Sequence, residues 1–348
     1  MNTRVLSKED VKLFKGKHYL PWFKPSSDEK VILKSPEKVI VFDMDETLGS
    51  FGDLYIVWRG IHQVCPECNH FYELLDLYPE FLRYGMLTIL EYLYDCKLKK
   101  LCHKMFIYTN NQCSAKWVNF ISEYLEQKII KNSPNKKSKK LFDKIICAFK
   151  INNKTIEECR SSHQKKVDDF LKCSMITDNA DICFIDDVEY PLMKSSKVYY
   201  ICPRAYIHHL KTNEIIKRIV CAKWLPLYNE ILCSEDYWLN WFVIHRRRVV
   251  RKGNGDVYLD LQVSHKIMCH LRDFLNFPII SPATTIKSKT QRLIRKGTNS
   301  GGTSRKKIYT NPKSKANNNY YEEREEEEEE AEEDPLAINT IHSSAVIF

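Results

Sequence analysis

The sequence predicts an α/β fold in which a parallel sheet is covered by helices on both faces. Short, apolar, β-branched runs alternate with stretches whose apolar residues recur every three or four positions, a pattern typical of buried strands and amphipathic helices. Three of the apolar runs end in acidic or hydroxyl residues, which is where ligands bind in sheets of this kind. The predicted strands cover residues 38–42, 104–108, 144–149, 182–185 and 198–202.

Helices are predicted between and after these strands. Residues 79–96 carry apolar side chains at helical spacing, and Ser114 is expected to cap the helix that follows it. A short helix is predicted at 165–172, whereas residues 49–58 are interpreted as a flap. The later predicted helices cover residues 207–221, 228–244 and 265–277.

Changes in composition divide the chain into four predicted segments. The catalytic candidates all fall in the segment that alternates strands and helices. The segments are an N-terminal extension at 1–37, an α/β domain at 38–205, a smaller helix-rich region at 206–280 and a tail at 281–348.

Charge is segregated along the tail. Residues 287–315 are basic and contain no acid, and residues 322–334 form an almost unbroken acidic block. Blocks of like charge repel themselves and offer little apolar surface to bury, so the tail is predicted to be disordered. It could also serve as an interaction arm, and further basic runs at 131–140 and 246–252 leave nucleic acid open as a partner.

The composition favours a globular intracellular protein, cytoplasmic or nuclear. The chain has 348 residues, 43% of them hydrophobic, and a net charge of +9. No apolar run reaches the roughly 20 residues that a membrane helix needs, so no membrane partner is expected. The N-terminus lacks the apolar core of a secretory signal. Thirteen scattered cysteines, most of them in apolar runs, favour a reducing compartment.

A Cys-x-x-Cys pair raises the question of a zinc site. Cys65 and Cys68, with His70 nearby, would need further ligands to close a tetrahedral site. The spacing of the remaining candidates is irregular, so either zinc or two unligated thiols remains open at this point. Those candidates are Cys96, Cys102 and His103.

Two carboxylates that directly follow the first predicted strand are the strongest chemical signal. Asp43 and Asp45 lie two residues apart on a turn and can therefore face one site. One of them can attack phosphorus and form an aspartyl-phosphate. The other can protonate the leaving oxygen and later deprotonate the hydrolytic water, and Thr47 can orient it.

An anionic nucleophile that attacks a phosphoryl group requires cations nearby. Mg²⁺, held by carboxylate and backbone oxygens, supplies one of them, and a lysine supplies the second. A hydroxyl and a backbone N–H after the second strand can donate to the phosphoryl oxygens. The candidates are Asp186 and Asp187 for the metal, Lys165 or Lys166 for the second cation, and Thr109 for both the hydroxyl and the N–H, with Asn110 as a further possible site residue.

The order of these motifs resembles the haloacid dehalogenase (HAD) superfamily of aspartate-nucleophile phosphatases. Residues 42–48, Phe-Asp-Met-Asp-Glu-Thr-Leu, are similar to the signature of the phosphatases that act on the C-terminal domain of RNA polymerase II and of their NLI-interacting-factor-like relatives. The resemblance covers about residues 39–201, under half the chain. It implies a HAD-like Rossmannoid sheet.

Carried over by position, the resemblance implies a role for each candidate. Asp43 becomes the nucleophile and a metal ligand, and Asp45 becomes the general acid/base that also binds metal through its backbone carbonyl. The remaining matches are Thr109 to the second motif, Lys165 (with Lys166 as the alternative) to the third, and Asp186 with Asp187 to the metal-binding fourth motif.

Two departures from the family pattern concern the charge at the metal-binding motif and the substrate. The fourth motif reads Asp-Asp where the polymerase-directed members often have Asp-Asn, and the residues after the first motif lack the usual Val-His-Ser. A flap and one helix are expected to fill most of residues 49–103, so the fold should be uncapped or minimally capped. Such an open site suits macromolecules, because small metabolites usually need closure to exclude water.

The sequence therefore predicts a Mg²⁺-dependent phosphatase of phosphoproteins, with serine or threonine phosphate as substrate. The alternatives are a HAD phosphatase that acts on nucleic-acid ends and a non-catalytic scaffold that keeps the fold.

Overall fold

The structure is a computed structural model, and the part of the chain that it describes has gaps. The predicted tail and most of the two basic runs at 131–140 and 246–252 lie outside the described residues. The described residues are 6–20, 36–132, 140–225, 229–246 and 256–276.

A six-stranded sheet forms the centre of the fold, with strand order β1-β8-β7-β2-β3-β4. All neighbouring strands in it are parallel except β1, which is antiparallel to β8. The predicted α/β class is confirmed, and the arrangement is compatible with a Rossmann-like fold. The strands are β1 (Val11–Lys15), β2 (Lys38–Phe42), β3 (Lys104–Tyr108), β4 (Lys144–Ile146), the hairpin β5 (Lys150–Ile151) and β6 (Lys154–Thr155), β7 (Asp181–Ile185) and β8 (Val198–Pro203).

Side chains of β2 alternate between two hydrophobic clusters, one on each face of the sheet. Ile40 and Phe42 belong to the larger cluster, whereas Val39 and Val41 belong to the smaller one, which also contains Phe170. Helices therefore cover both faces. They are α1 (Gly52–Val64), α2 (Phe71–Asp76), α3 (Met86–Leu98), α4 (Ala115–Asn132), α5 (Val167–Ser174), α6 (Thr212–Val220), α7 (Glu235–His245) and α8 (Val257–Asn276).

The interpretation of residues 49–58 as a flap is wrong. Most of this segment belongs to α1, whose buried residues Leu54, Val57 and Ile61 recur at helical spacing. The helix predicted at 79–96 begins only at Met86, because Gly85 adopts a left-handed conformation (φ 76°) immediately before it. Ser114 caps α4 as expected, since its Oγ accepts a bond from the Trp117 N–H at 3.1 Å.

The described part of residues 206–276 contains the helices α6 to α8, whose boundaries differ from the predicted ones. The last helix, α8, begins eight residues before the predicted 265–277. Its Phe274 packs in the same cluster as Ile40 of β2. The Lys38 ammonium donates to the carbonyls of Phe274 (2.9 Å) and Leu275 (2.7 Å), which ties the end of α8 to the start of β2.

Part of the predicted N-terminal extension joins the sheet. Val11–Lys15 forms the β1 edge strand, and the buried Tyr19 donates its hydroxyl to the Lys197 carbonyl at 2.9 Å. Among the described residues, no helix is both long and apolar enough to cross a bilayer.

One cysteine pair is oxidised. Cys159 and Cys173 form a disulfide that joins the loop before α5 to the last turn of α5, while the other eleven cysteines are free thiols. Six of these thiols are buried, as expected for cysteines in apolar runs. The disulfide itself runs against the prediction of a reducing compartment, which was based on the odd number and scattered positions of the cysteines.

Replacement of both disulfide cysteines by serine should lower the free energy of unfolding by about 3 kcal/mol, because a cross-link between residues 14 apart restricts the unfolded chain. Chemical denaturation of the double variant Cys159→Ser, Cys173→Ser without reductant measures this loss. Cys221→Ser, which removes an exposed free thiol, is the control. Equal stability of the two variants would contradict the expectation.

Candidate active site

The candidate site lies at the carboxyl ends of three adjacent strands, β7, β2 and β3. Asp43 follows β2, Thr109 follows β3 and Asp186 follows β7. Parallel strands bring their carboxyl ends to one edge of the sheet, so these three residues lie at the same edge although they are far apart in sequence. All three are buried.

The loop after β2 is held in one conformation by short contacts. Asp43 extends the sheet, since its N–H donates to the Ile185 carbonyl at 2.8 Å. Glu46 adopts a left-handed conformation (φ 56°) and its N–H donates to the Gly49 carbonyl at 2.7 Å. Gly49 has no room for a side chain, because a Cβ there would lie 2.4 Å from the Phe81 carbonyl oxygen.

A buried arginine also holds the loop after β2, through hydrogen bonds to its backbone carbonyls. Arg83 donates from Nε to the Thr47 carbonyl at 2.7 Å and from Nη2 to the carbonyls of Glu46 and Arg204. Its guanidinium also lies over the ring of Tyr206, 5.3 Å from the centroid. These bonds tie the acidic loop to the chain that leaves β8.

A cluster of three aspartates forms the centre of the site. Carboxylate oxygens of Asp43, Asp186 and Asp187 all lie within 4.8 Å of one another. The Lys165 ammonium donates to Asp43 Oδ1 and to Asp186 Oδ2, both at 2.5 Å. Lys165 and Asp186 are each only 1% exposed, so this ion pair is shielded from solvent.

The charges of this cluster do not balance within the protein. Burial alone would lower the pKa of Lys165, but the negative charges of Asp43 and Asp186 raise it overall. Burial, with the charge of Asp43, raises the pKa of Asp186 and that of Asp187. Burial and the neighbouring carboxylates raise the pKa of Glu46 to about 8. One ammonium faces several carboxylates, so the cluster could hold a metal ion.

Thr47 orients a different carboxylate from the predicted one. Its hydroxyl donates to Asp187 Oδ1 at 2.8 Å and accepts from the Asp187 N–H at 3.0 Å. The expectation that Thr47 orients Asp45 is therefore wrong. Instead, Thr47 connects the loop after β2 to the acidic pair after β7.

Asp45 is held by a residue that the sequence reasoning missed. Asn111 Nδ2 donates to Asp45 Oδ2 at 2.8 Å. Burial and the negative charge of Asp43 raise the pKa of Asp45 to about 6, although the bond from Asn111 acts in the opposite direction. A carboxyl group with a pKa near neutrality can both donate and accept a proton at physiological pH.

Of the two hydrogen-bond donors predicted for Thr109, the hydroxyl is available and the backbone N–H is not. Its backbone N–H donates to the Ile146 carbonyl at 3.0 Å, so this group is engaged in the sheet and is not available to a phosphoryl oxygen. Its hydroxyl oxygen accepts from the Asn111 N–H at 3.0 Å, which leaves the hydroxyl proton to donate.

Asn110 has a structural role in the loop after β3. Its Nδ2 donates to the His163 carbonyl (2.9 Å) and to the Tyr190 hydroxyl (3.1 Å). Its Oδ1 accepts from Arg160 at 2.7 Å. The buried Arg160 also donates to the Thr109 carbonyl at 2.9 Å, so it joins the Thr109 loop to the segment that leads to Lys165.

The ambiguity between the two lysines is resolved by position. Lys165 lies between the carboxylates, whereas Lys166 is half-buried at the N-cap of α5 and forms no ion pair with the carboxylates of the described residues. Lys165 also lies 5.3 Å from the centroid of the Tyr190 ring. The rings of Tyr108 and Phe184 lie at similar distances, 5.6 and 5.8 Å, so aromatic residues surround the ammonium.

The zinc hypothesis finds no support in the part of the chain that is described. Burial raises the pKa of Cys65 to about 11 and also raises that of Cys68. The His70 ring stacks on Trp224, with centroids 5.2 Å apart. Among the described residues, the one group of three or more close candidate ligands is the aspartate cluster.

Signals for the missed residues differ in strength. Asn111 lies in the polar turn Thr-Asn-Asn that follows a predicted strand, so its position at the site could have been inferred. Arg83 and Arg160 carry no such signal, because a buried arginine cannot be told from a surface one by its local sequence.

Compared with protein-family models, with curated proteins and with solved structures, the chain matches none of them. The case for a function therefore depends on the side-chain geometry of the site.

Proposed function

We propose that the chain is a Mg²⁺-dependent phosphatase of the HAD superfamily that hydrolyses phosphoserine or phosphothreonine in proteins through a covalent intermediate on Asp43. The observation that carries the proposal is the Lys165 ammonium shared by Asp43 and Asp186 within a buried aspartate cluster. Lysine and metal together can offset the charge of a phosphoryl group next to an anionic nucleophile.

The donor set fits Mg²⁺, because it consists of carboxylate oxygens and contains no sulfur or imidazole. Asp43, Asp186 and Asp187 would hold the ion, with the backbone carbonyl of Asp45 as a further ligand. When bound, Mg²⁺ would neutralise charge on the phosphoryl oxygens and orient the group for in-line attack.

The first step is transfer of the phosphoryl group to Asp43. Lys165 holds Oδ1 of this carboxylate, which leaves Oδ2 as the attacking atom. The new Asp43 oxygen–phosphorus bond forms as the bond from phosphorus to the leaving oxygen breaks, and protonated Asp45 gives its proton to that oxygen. The Thr109 hydroxyl can donate to a phosphoryl oxygen, since its own oxygen lone pair already accepts from Asn111.

The second step releases phosphate. Asp45, now a carboxylate, takes a proton from water, whose oxygen attacks phosphorus while the bond to Asp43 breaks. Inorganic phosphate leaves, Asp43 is regenerated as a carboxylate and Asp45 is again protonated. A pKa of about 6 for Asp45 suits both halves of this cycle, because neither protonation state is strongly favoured near neutral pH.

Three helices, α1 to α3, occupy the chain between the first two motifs, where lids are inserted in this superfamily. Their buried residues, such as Leu54, Leu74 and Leu90, belong to the same hydrophobic cluster as Ile40 of the sheet. Helices that share the body's core cannot swing independently as a lid. This supports an open site and a macromolecular substrate.

A substrate panel with and without Mg²⁺ tests the proposal. We expect the purified full chain to hydrolyse nitrophenyl phosphate and phosphoserine or phosphothreonine peptides, faster than 3′- or 5′-phosphorylated oligonucleotides. EDTA should reduce turnover by about 100-fold or more, because the metal contributes several kcal/mol to transition-state stabilisation, and excess Mg²⁺ should restore it.

The other outcomes separate the alternatives. Hydrolysis confined to the oligonucleotides would favour a nucleic-acid-end phosphatase. Absence of hydrolysis on every substrate, by protein that is folded, would favour a non-catalytic scaffold. Activity that is insensitive to EDTA would exclude the metal-dependent mechanism.

A further inference from the structure

The Asn111 side chain is fixed at both ends of its amide. Its Oδ1 accepts from the Cys113 N–H at 2.9 Å, and its Nδ2 donates to Asp45 Oδ2 at 2.8 Å. A backbone N–H can only donate, so the amide oxygen must face Cys113 and the NH₂ group must face Asp45. The Asn111 N–H bonds Thr109 Oγ1, which fixes the backbone of the same turn.

This orientation makes Asn111 a pure donor toward one oxygen of Asp45. The lone pair of Oδ2 that faces the NH₂ group is occupied by the hydrogen bond. Oδ1, the oxygen that Asn111 does not contact, forms no side-chain hydrogen bond within the described part of the chain. The two oxygens of Asp45 thus have different roles.

No second group among the described residues duplicates this contact. The Thr47 hydroxyl is engaged with Asp187, and the hydrogen bond from Asn111 is the one side-chain bond to the Asp45 carboxylate in the described part of the chain. Loss of the amide donor would leave the carboxylate of Asp45 free to rotate about its last side-chain bond.

We propose that Asn111 is the positioning residue for proton transfer, which aims Oδ1 of Asp45 at the leaving oxygen and later at the attacking water. The inference rests on the proposed function, since it assigns Asn111 to the acid/base step of that reaction. Asn111 would act on both steps through Asp45 and would contribute little to substrate binding.

Two variants of Asn111 test the inference against a structural role. Asn111→Asp is nearly isosteric and keeps an oxygen to accept from the Cys113 N–H. It replaces the NH₂ group that donates to Asp45 by a second carboxylate oxygen. Asn111→Ala removes both bonds. The control is Gln112→Ala, the exposed neighbour whose side chain bonds the Asn110 carbonyl and does not contact Asp45.

The readout is the rate of each chemical step with two leaving groups, measured with full-length protein and Mg²⁺. Nitrophenolate leaves without help from an acid, whereas the serine alkoxide of a phosphopeptide requires protonation. For both Asn111 variants we expect phosphorylation of Asp43 by nitrophenyl phosphate at a nearly wild-type rate. Phosphorylation by the phosphopeptide and hydrolysis of the phosphoenzyme should each slow by about 10- to 100-fold, a part of the general acid/base contribution.

The expected signature is phosphoenzyme that accumulates with nitrophenyl phosphate, detected by intact mass, together with an unchanged KM for the phosphopeptide. The role of Asn111 would be overturned if either variant phosphorylated Asp43 equally slowly with both leaving groups. Wild-type rates of both steps, or a change confined to KM, would also overturn it. If the wild-type chain itself forms no phosphoenzyme and shows no Mg²⁺-dependent hydrolysis, the proposed function fails instead.

Discussion

Asp43→Asn is expected to abolish hydrolysis of every phosphomonoester that the wild-type chain turns over. The amide of asparagine is not a nucleophile toward phosphorus, and no other carboxylate of the cluster occupies the position directly after β2. We expect a loss of roughly 10⁴-fold or more, as is typical when a covalent nucleophile is removed. Phosphate release under single-turnover conditions with Mg²⁺ measures it.

The fold should survive this change, because Asn has almost the same shape as Asp and the backbone N–H of residue 43 keeps its bond to Ile185. Circular dichroism and thermal unfolding check this. Asp168→Asn, which neutralises an exposed acid in the first turn of α5, is the matched control and should keep wild-type activity. Near-wild-type turnover by Asp43→Asn would refute the assignment of the nucleophile.

The sheet was predictable because its signals are local. A strand that is buried on both faces must be apolar throughout, and the run from Val39 to Phe42 has that property. The convergence of Asp43, Thr109 and Asp186 follows once the strands are parallel, since their carboxyl ends share one edge.

The elements that were missed depend on contacts between distant parts of the chain. The pairing of β1 with β8 joins segments almost 190 residues apart, and nothing in Val11–Lys15 alone specifies its partner. The helix α1 was overlooked for a different reason. Its periodicity from Leu54 to Ile61 was present in the sequence, but the segment was interpreted as a flap by its position after the first motif.

Within the site, residue identity was easier to predict than hydrogen-bond partners. Thr47 was expected to bind Asp45 because the two are close in sequence, yet it binds Asp187 across 140 positions. The Thr109 N–H was assigned to a phosphoryl oxygen, although a residue that extends β3 is bound to use that group in the sheet. Hydrogen-bond partners depend on the order of the strands in the sheet, which the local sequence does not reveal.

Asp45→Asn is expected to trap the phosphoenzyme. The variant keeps the nucleophile Asp43, and an aryl phosphate needs little protonation of its leaving group, so the first step should proceed. Hydrolysis of the aspartyl-phosphate requires a base to take a proton from water, and its loss should slow this step by about 10²- to 10⁴-fold.

The surroundings of residue 45 should tolerate the exchange. The amide oxygen of the new side chain can still accept from Asn111 Nδ2, so the turn after β3 keeps its contact with the loop after β2. Metal should still bind, because this residue is expected to use its backbone carbonyl.

Intact mass after reaction with nitrophenyl phosphate and Mg²⁺ should therefore show one added phosphoryl group on Asp45→Asn protein and none on Asp43→Asn protein. An added phosphoryl group on the Asp43→Asn protein instead would reverse the roles of the two aspartates. An added phosphoryl group on neither protein would favour direct attack by water on phosphorus, with both aspartates acting only as metal ligands.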